Sequence, residues 1–137
     1  AAATMLADIA KGWVVVVLAQ NFGPNMAVIG AASALIGHVF PVWLRFNGGK
    51  GVATSLGVMA GLSWPVAVGA LMLWVAFIKV TRYSSVGALV ATGMAPVLAY
   101  YLATPQITEF AVFLAILVWL RHHANIRRLL QGEESKV

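Results

Sequence analysis

Val52 to Ile78 reads VATSLGVMAGLSWPVAVGALMLWVAFI, 27 residues without a charge and with Ser63-Trp64-Pro65 near the middle. One bilayer crossing needs roughly 20 apolar residues, so this stretch is long for one span and short for two. Counted as two short helices, it returns the chain to the side it left, and Arg45 and Lys50 share a face with Lys79 and Arg82. Counted as one helix, it separates them. Retention of Lys and Arg on a single side favours two.

That count presupposes a membrane, and the composition demands one. Of 137 residues, 61% are hydrophobic and only 9% charged, with a mean hydropathy of +0.90. A water-facing surface needs more charge than that. The chain is expected to be a single integral-membrane domain, 1–137, all-α and polytopic. Outward from the central stretch, Met26 to Leu44 reads as a span bent near Gly37 and Pro41, preceded by the uncharged turn QNFGPN (20–25) and an opening run from Ala1 to Ala19. Downstream, Val86 to Ala103 and Ile107 to Leu120 are joined by the uncharged turn Thr104-Pro105-Gln106. The total is six transmembrane or half-span helices.

The net charge of +5 points to anionic partners. Under the six-helix count, Arg45, Lys50, Lys79, Arg82, Arg121, Arg127, Arg128 and Lys136 fall on one side, and the turns at 20–25, 62–65 and 103–106 carry no cation. The basic side reads as the cytoplasm. Lys11 is the exception: three residues after Asp8, it shares a helical face with that acid inside an apolar run, as a structural pair or a substrate contact. Without cysteine there is no disulfide, thiolate nucleophile or Cys-ligated metal. The tail from Gly132 to Val137 reads as frayed and solvated.

Chemistry concentrates in Gly37 to Thr54, GHVFPVWLRFNGGKGVAT, where an imidazole, two cations, a proline and four glycines lie within eighteen residues. A Gly-Gly-Lys-Gly turn exposes several backbone N–H groups in one concavity beside a point charge, which suits phosphate. It is not a Walker A loop, because Gly51 stands where Ser or Thr should follow the lysine. A tight interhelical turn that simply needs glycine is the plainer alternative. Two further clusters share its side: Arg82-Tyr83-Ser84-Ser85, with one serine expected to cap a helix, and Arg121-His122-His123-Ala124-Asn125-Ile126-Arg127-Arg128. On a continuous helix, His122 and Asn125 lie on one face, and Arg121, Asn125 and Arg128 form an overlapping stripe. A basic helix end of this kind also suits lipid headgroups, yet an uncharged amide among cations suits a specific hydroxyl or phosphate. Adjacent His122 and His123 diverge by about 100° on a helix, so a metal site is not expected. Juxtamembrane cations with no soluble domain argue against nucleic acid.

GHVFPVWLRFNGGKGVAT, RYSSVGA and HHANIRRLLQGEE resemble the second motif, the third motif and the polar end of the last segment of the bacterial acyl-phosphate-dependent glycerol-3-phosphate acyltransferases, the PlsY family; ADIAKG resembles the segment after that family's first motif. The resemblance implies transfer of a fatty acyl group from acyl phosphate to the 1-hydroxyl of glycerol 3-phosphate, giving lysophosphatidic acid and phosphate. It implies no cofactor, and a soluble acyl-phosphate-producing enzyme as supplier. The expected place is the bacterial plasma (inner) membrane, multi-pass, with the active face cytoplasmic. It assigns Gly48, Gly49 and Gly51 to the acyl-phosphate group, Lys50 and Asn125 to glycerol phosphate, and Ser85 to a further hydrogen bond. His38 and His122 are the candidate bases, with a substrate phosphate oxygen as the alternative acceptor. The family's first motif, Ser-Gly-Asn…Thr-Asn…Arg after an initial helix, is expected ahead of Ala1; the chain therefore reads as six helices of seven and is expected to be inactive alone. A small transporter or channel subunit for an anionic solute is the rival reading, drawn from the Asp8–Lys11 pair and the bent second helix.

Overall fold

A computed structural model describes residues 2–41 and 49–137, so Arg45 and Gly48 lie outside the described residues. Among those described, the chain forms α1 (Ala2–Ala19), a 3-10 turn (Gln20–Phe22), α2 (Pro24–Val39), α3 (Val52–Leu62), α4 (Trp64–Thr81), α5 (Ser84–Leu102), α6 (Pro105–Arg121) and α7 (His123–Gln131). The central apolar stretch is two helices. Ser63 is extended (φ −159°, ψ 99°), and Pro65, with no N–H to donate, fits the first turn of α4 without loss. Thr104 does the equivalent work before α6, where its hydroxyl accepts from the Ile107 N–H at 3.2 Å and Pro105 opens the helix.

Among the described residues, three helical segments are long and apolar enough to cross a bilayer: Ala2–Phe22, Trp64–Thr81 and Ser84–Leu102. A fourth is obtained if α6 and α7, bent by 59° at His122, are counted together; α2 and α3 are shorter apolar helices. In hydrocarbon the backbone must satisfy itself, and helices do so within each segment. Large apolar side chains face outward accordingly, among them Leu6, Leu18, Met72, Val80, Ile116 and Leu120. Trp64, Tyr100 and Tyr101 are exposed near the uncharged turns, as the amphipathic rings of an interfacial belt would be.

α1 lies along α3 and α2, α4 along α5, and α5 along α6. Close approach of α1 and α3 depends on glycine. A Cβ at Gly57 would stand 1.9 Å from the Ile9 backbone oxygen, and one at Gly12 would stand 2.8 Å from that of Thr54. Small residues let membrane helices gain dispersion contact when lipid offers no hydrophobic drive. Val16, Leu35, Val58, Val66, Leu114 and Val118 fill the interior.

Hydrogen bonds identify the two ends of the bundle. Gln20 Nε2 donates to the Gly61 carbonyl at 3.2 Å and Gln106 Nε2 to Asn25 Oδ1 at 2.6 Å, so the three uncharged turns meet. At the other end Lys50 donates to Asn125, and Arg82 exchanges two 2.7 Å bonds with the backbone of Val137. Lys50 and Arg82 thus lie at the end opposite the uncharged turns, as a pair of short helices in the central stretch requires.

Four expectations need correction. The second helix ends at Val39, with Phe40 as its cap, instead of running through a bend near Gly37. Neither serine caps α5; the cap position is Tyr83, and the helix begins at Ser84. The final basic stretch is not one helix, because His122 breaks it and α7 departs at an angle. Nor is the tail frayed. Gly132 takes a left-handed conformation (φ 72°), the N–H groups of Gly132 and Glu133 close on Leu129 and Arg128, and the chain turns back over the basic end.

Candidate functional site

A cavity of about 530 Å³ opens at the basic end and runs between α3, α4 and α5. Its mouth is polar, with Lys50, Ser85, His122, Asn125, Arg128 and Glu134; its interior is apolar, with Met59, Ala67, Leu71, Ala91, Ala95 and Leu114. The polar groups arrive from separate parts of the chain. Lys50 precedes Gly51, whose left-handed backbone (φ 89°) starts α3; Ser85 lies in the first turn of α5; the break at His122 turns Asn125 and Arg128 inward on α7.

Lys50 Nζ donates to Asn125 Oδ1. Asn125 in turn donates through Nδ2 to Glu134 Oε2 at 2.8 Å, and Arg128 Nε donates to Glu134 Oε1 at 2.8 Å. The Glu134 side chain is only 7% exposed, so the returning tail places a carboxylate inside a cationic mouth. Burial by itself raises the Glu134 carboxyl, but the bonds from Arg128 and Asn125, the nearby Ser85 hydroxyl and the Arg128 charge outweigh it and hold it at about 2. Burial lowers the Lys50 ammonium, the Arg128 and Arg121 charges lower it further, and Glu134 partly offsets them.

His122 is buried, with Nδ1 2.8 Å from the Val118 carbonyl. A carbonyl only accepts, so Nδ1 carries the hydrogen and the neutral ring keeps its Nε2 lone pair. Three cavity-lining residues hold polar atoms buried without a hydrogen-bond partner among the described residues: Ser55 Oγ, Ser85 Oγ and Trp74 Nε1. Such atoms are costly unless something else satisfies them. The Ser85 hydroxyl stands near Glu134 but completes no bond with it.

Of the residues singled out in the sequence, the fold brings Lys50, Ser85, His122 and Asn125 to one mouth. Gly49 and Gly51 flank Lys50 in the turn, and Gly48 lies outside the described residues. His38 stands apart from the cavity lining, beside Asp8 and Lys11: Lys11 Nζ is 3.1 Å from Asp8 Oδ1 and 2.7 Å from His38 Nδ1. Glu134, Ser55 and Trp74 went unrecognised in the sequence as parts of the site, and Arg128 stood there only as a member of the basic stripe. For Glu134, Gly132 signals that the helix ends and the chain reverses, but not which surface the tail then meets. For Ser55 and Trp74, which sit in apolar runs, there was no signal.

Fold and cavity together define a polytopic membrane protein with a cationic mouth at one bundle end and an apolar cavity beneath it. Residues 1–132 match the family model described as glycerol-3-phosphate acyltransferase. Proteins of that name from Mesorhizobium japonicum and Brucella anthropi are 48% and 45% identical over the whole of this chain, which spans 70% and 68% of their lengths. Crystal structures of the integral membrane glycerol 3-phosphate acyltransferase PlsY, in its glycerol 3-phosphate and lysophosphatidic acid forms, superpose with a TM-score of 0.92 in each case. They are 29% and 30% identical, covering 97% and 96% of this chain and 68% and 69% of those. The chain belongs to the glycerol-3-phosphate acyltransferase family.

Proposed function

We propose that the site moves a fatty acyl group from acyl phosphate to the 1-hydroxyl of glycerol 3-phosphate, giving lysophosphatidic acid and inorganic phosphate. The observation that carries the reading is the Glu134 carboxylate between Asn125 and Arg128, an internal anion bound where an apolar cavity meets a cationic mouth. A phosphate with a lipid chain needs that combination. The similar solved protein has both a glycerol 3-phosphate form and a lysophosphatidic acid form, the acceptor and the product of this reaction.

In the proposed mechanism, Lys50 and Asn125 hold the glycerol phosphate, and the backbone N–H groups of Gly48, Gly49 and Gly51 cradle the acyl phosphate. Ser85 adds its unspent hydroxyl. The glycerol hydroxyl attacks the acyl carbonyl, a C–O bond forms, and the bond from acyl carbon to phosphate oxygen breaks. His122 Nε2 accepts the hydroxyl's hydrogen bond, and the departing phosphate is the final home of the proton. Phosphate is a good leaving group, so positioning and charge stabilisation supply most of the barrier reduction. The basic end faces the cytoplasm of a bacterial inner membrane, where a soluble enzyme delivers the acyl phosphate. Transporter sites lie near the bilayer midplane, whereas these polar groups gather at one bundle end, which favours the enzyme over an anion transporter.

The test is reconstitution in lipid with acyl phosphate and labelled glycerol 3-phosphate. Reconstituted protein that carries the family's first motif together with these residues should form lysophosphatidic acid with no requirement for coenzyme A, and no product from it overturns the reading.

A further inference from the structure

We propose that the Asp8–Lys11 ion pair fixes His38 as the Nε2–H tautomer, making it a hydrogen-bond donor to a phosphate held at the Gly49 turn and not a base. The inference rests on the phosphate-binding role given above to that turn. Lysine has three donors and no acceptor, so the His38 Nδ1 that lies 2.7 Å from Lys11 Nζ must be the ring's accepting nitrogen. Asp8 binds the same ammonium at 3.1 Å and stands 3.8 Å from Nδ1, too far to take a hydrogen from it. The ring's hydrogen is left on Nε2.

That nitrogen points at the glycine turn. A Cβ added at Gly49 would fall 2.5 Å from His38 Nε2, so the imidazole occupies the side of the turn that a side chain would otherwise take. Among the described residues Nε2 has no hydrogen-bond partner, and an oxyanion seated on the turn would supply one. His122 has the opposite arrangement, with Nδ1 donating to Val118 and Nε2 left to accept. The same residue type is thus split into a donor and an acceptor by the partner of its other nitrogen.

Nitrogen-15 NMR of histidine-labelled protein in lipid bilayers reads the tautomer without any turnover, with His38 assigned by its absence in His38→Gln. The expected spectrum has an unprotonated Nδ1 and a protonated Nε2 at His38, and the Lys11→Met variant loses that preference. A protonated Nδ1 in the unsubstituted protein overturns the proposal. Inorganic phosphate should shift the Nε2 signal; an unmoved signal overturns the donor role. His38→Leu should weaken phosphate about tenfold, whereas His38→Gln, which keeps an N–H near the same place, should weaken it less than about threefold. Equal losses in the two variants overturn it as well. Competition by glycerol 3-phosphate against an alkyl phosphonate tells which substrate's phosphate His38 meets. Failure of the lysophosphatidic acid assay removes the acyl-transfer reading but leaves the tautomer result standing.

Discussion

Lys50 shares its side-chain bond with Asn125, and Asn125 shares its own with Glu134, so the mouth works as a chain of donors ending on a carboxylate. Removing the lysine should abolish turnover: Lys50→Ala leaves insertion intact, and product formation drops below detection in the labelled glycerol 3-phosphate assay. Wild-type-like activity would take the lysine out of the phosphate site. Glu134 makes a different prediction. Its carboxyl is held at about 2, below the ordinary carboxylate value, so its contribution to stability is present above the unfolded value near 4.5 and is lost as pH falls through about 2. Hydrogen-exchange protection of the Glu133 and Val137 amides, corrected for the intrinsic rate at each pH, should hold from neutral pH into the acid range and be lost as pH falls towards about 2. The Glu134→Gln variant should show reduced protection of these amides with no step near pH 2, together with a loss of roughly 1.5–3 kcal/mol, the usual worth of hydrogen bonds to a charged group. At this scale the lysine, the amide and the buried histidine were readable as polar residues in apolar surroundings. The carboxylate that organises them was not, because nothing local in Gly132-Glu133-Glu134 states which surface a returning tail will meet.

Helix boundaries were the most legible feature, since each depends on nearby chemistry. Ser63-Trp64-Pro65 breaks the central stretch because proline cannot continue a preceding helix but can begin the next, and Thr104-Pro105 starts α6 by the same logic. The start of α5 was placed within a residue or two, though the cap fell on Tyr83, whose extended backbone suits the position without a side-chain bond. Helix pairing was beyond the sequence. Gly12 and Gly57 are two among thirteen glycines, and only the structure shows that α1 and α3 meet across both. Gly57→Leu should therefore force the pair apart and cost about 1–3 kcal/mol, read as a lower unfolding midpoint in detergent titration. An unchanged midpoint would mean that α1 and α3 are not so close.

The whole bundle has an uncharged end and a basic end, and a chain without cysteine lends itself to mapping them. Single variants Gly23→Cys, Ser63→Cys and Thr104→Cys should react with an impermeant thiol reagent applied outside intact cells, while Tyr83→Cys and Glu133→Cys should react only after the cells are opened. A split within either group would break the common mouth on which the proposed reaction depends. The amino-acid sequence by itself determined that this protein lives in a bilayer, that its central apolar stretch is two helices, and that most of its cations cluster between the same helix ends. Those properties follow from hydropathy, from proline and glycine geometry and from charge, all of which act locally. Only the tertiary structure decided that α7 turns away at His122, that the tail carries Glu134 into the mouth, and that Lys11 reaches His38 across 27 residues of chain. Such contacts depend on where helices sit against one another, and in lipid that is settled by close packing over the whole interface instead of by any one residue's preference.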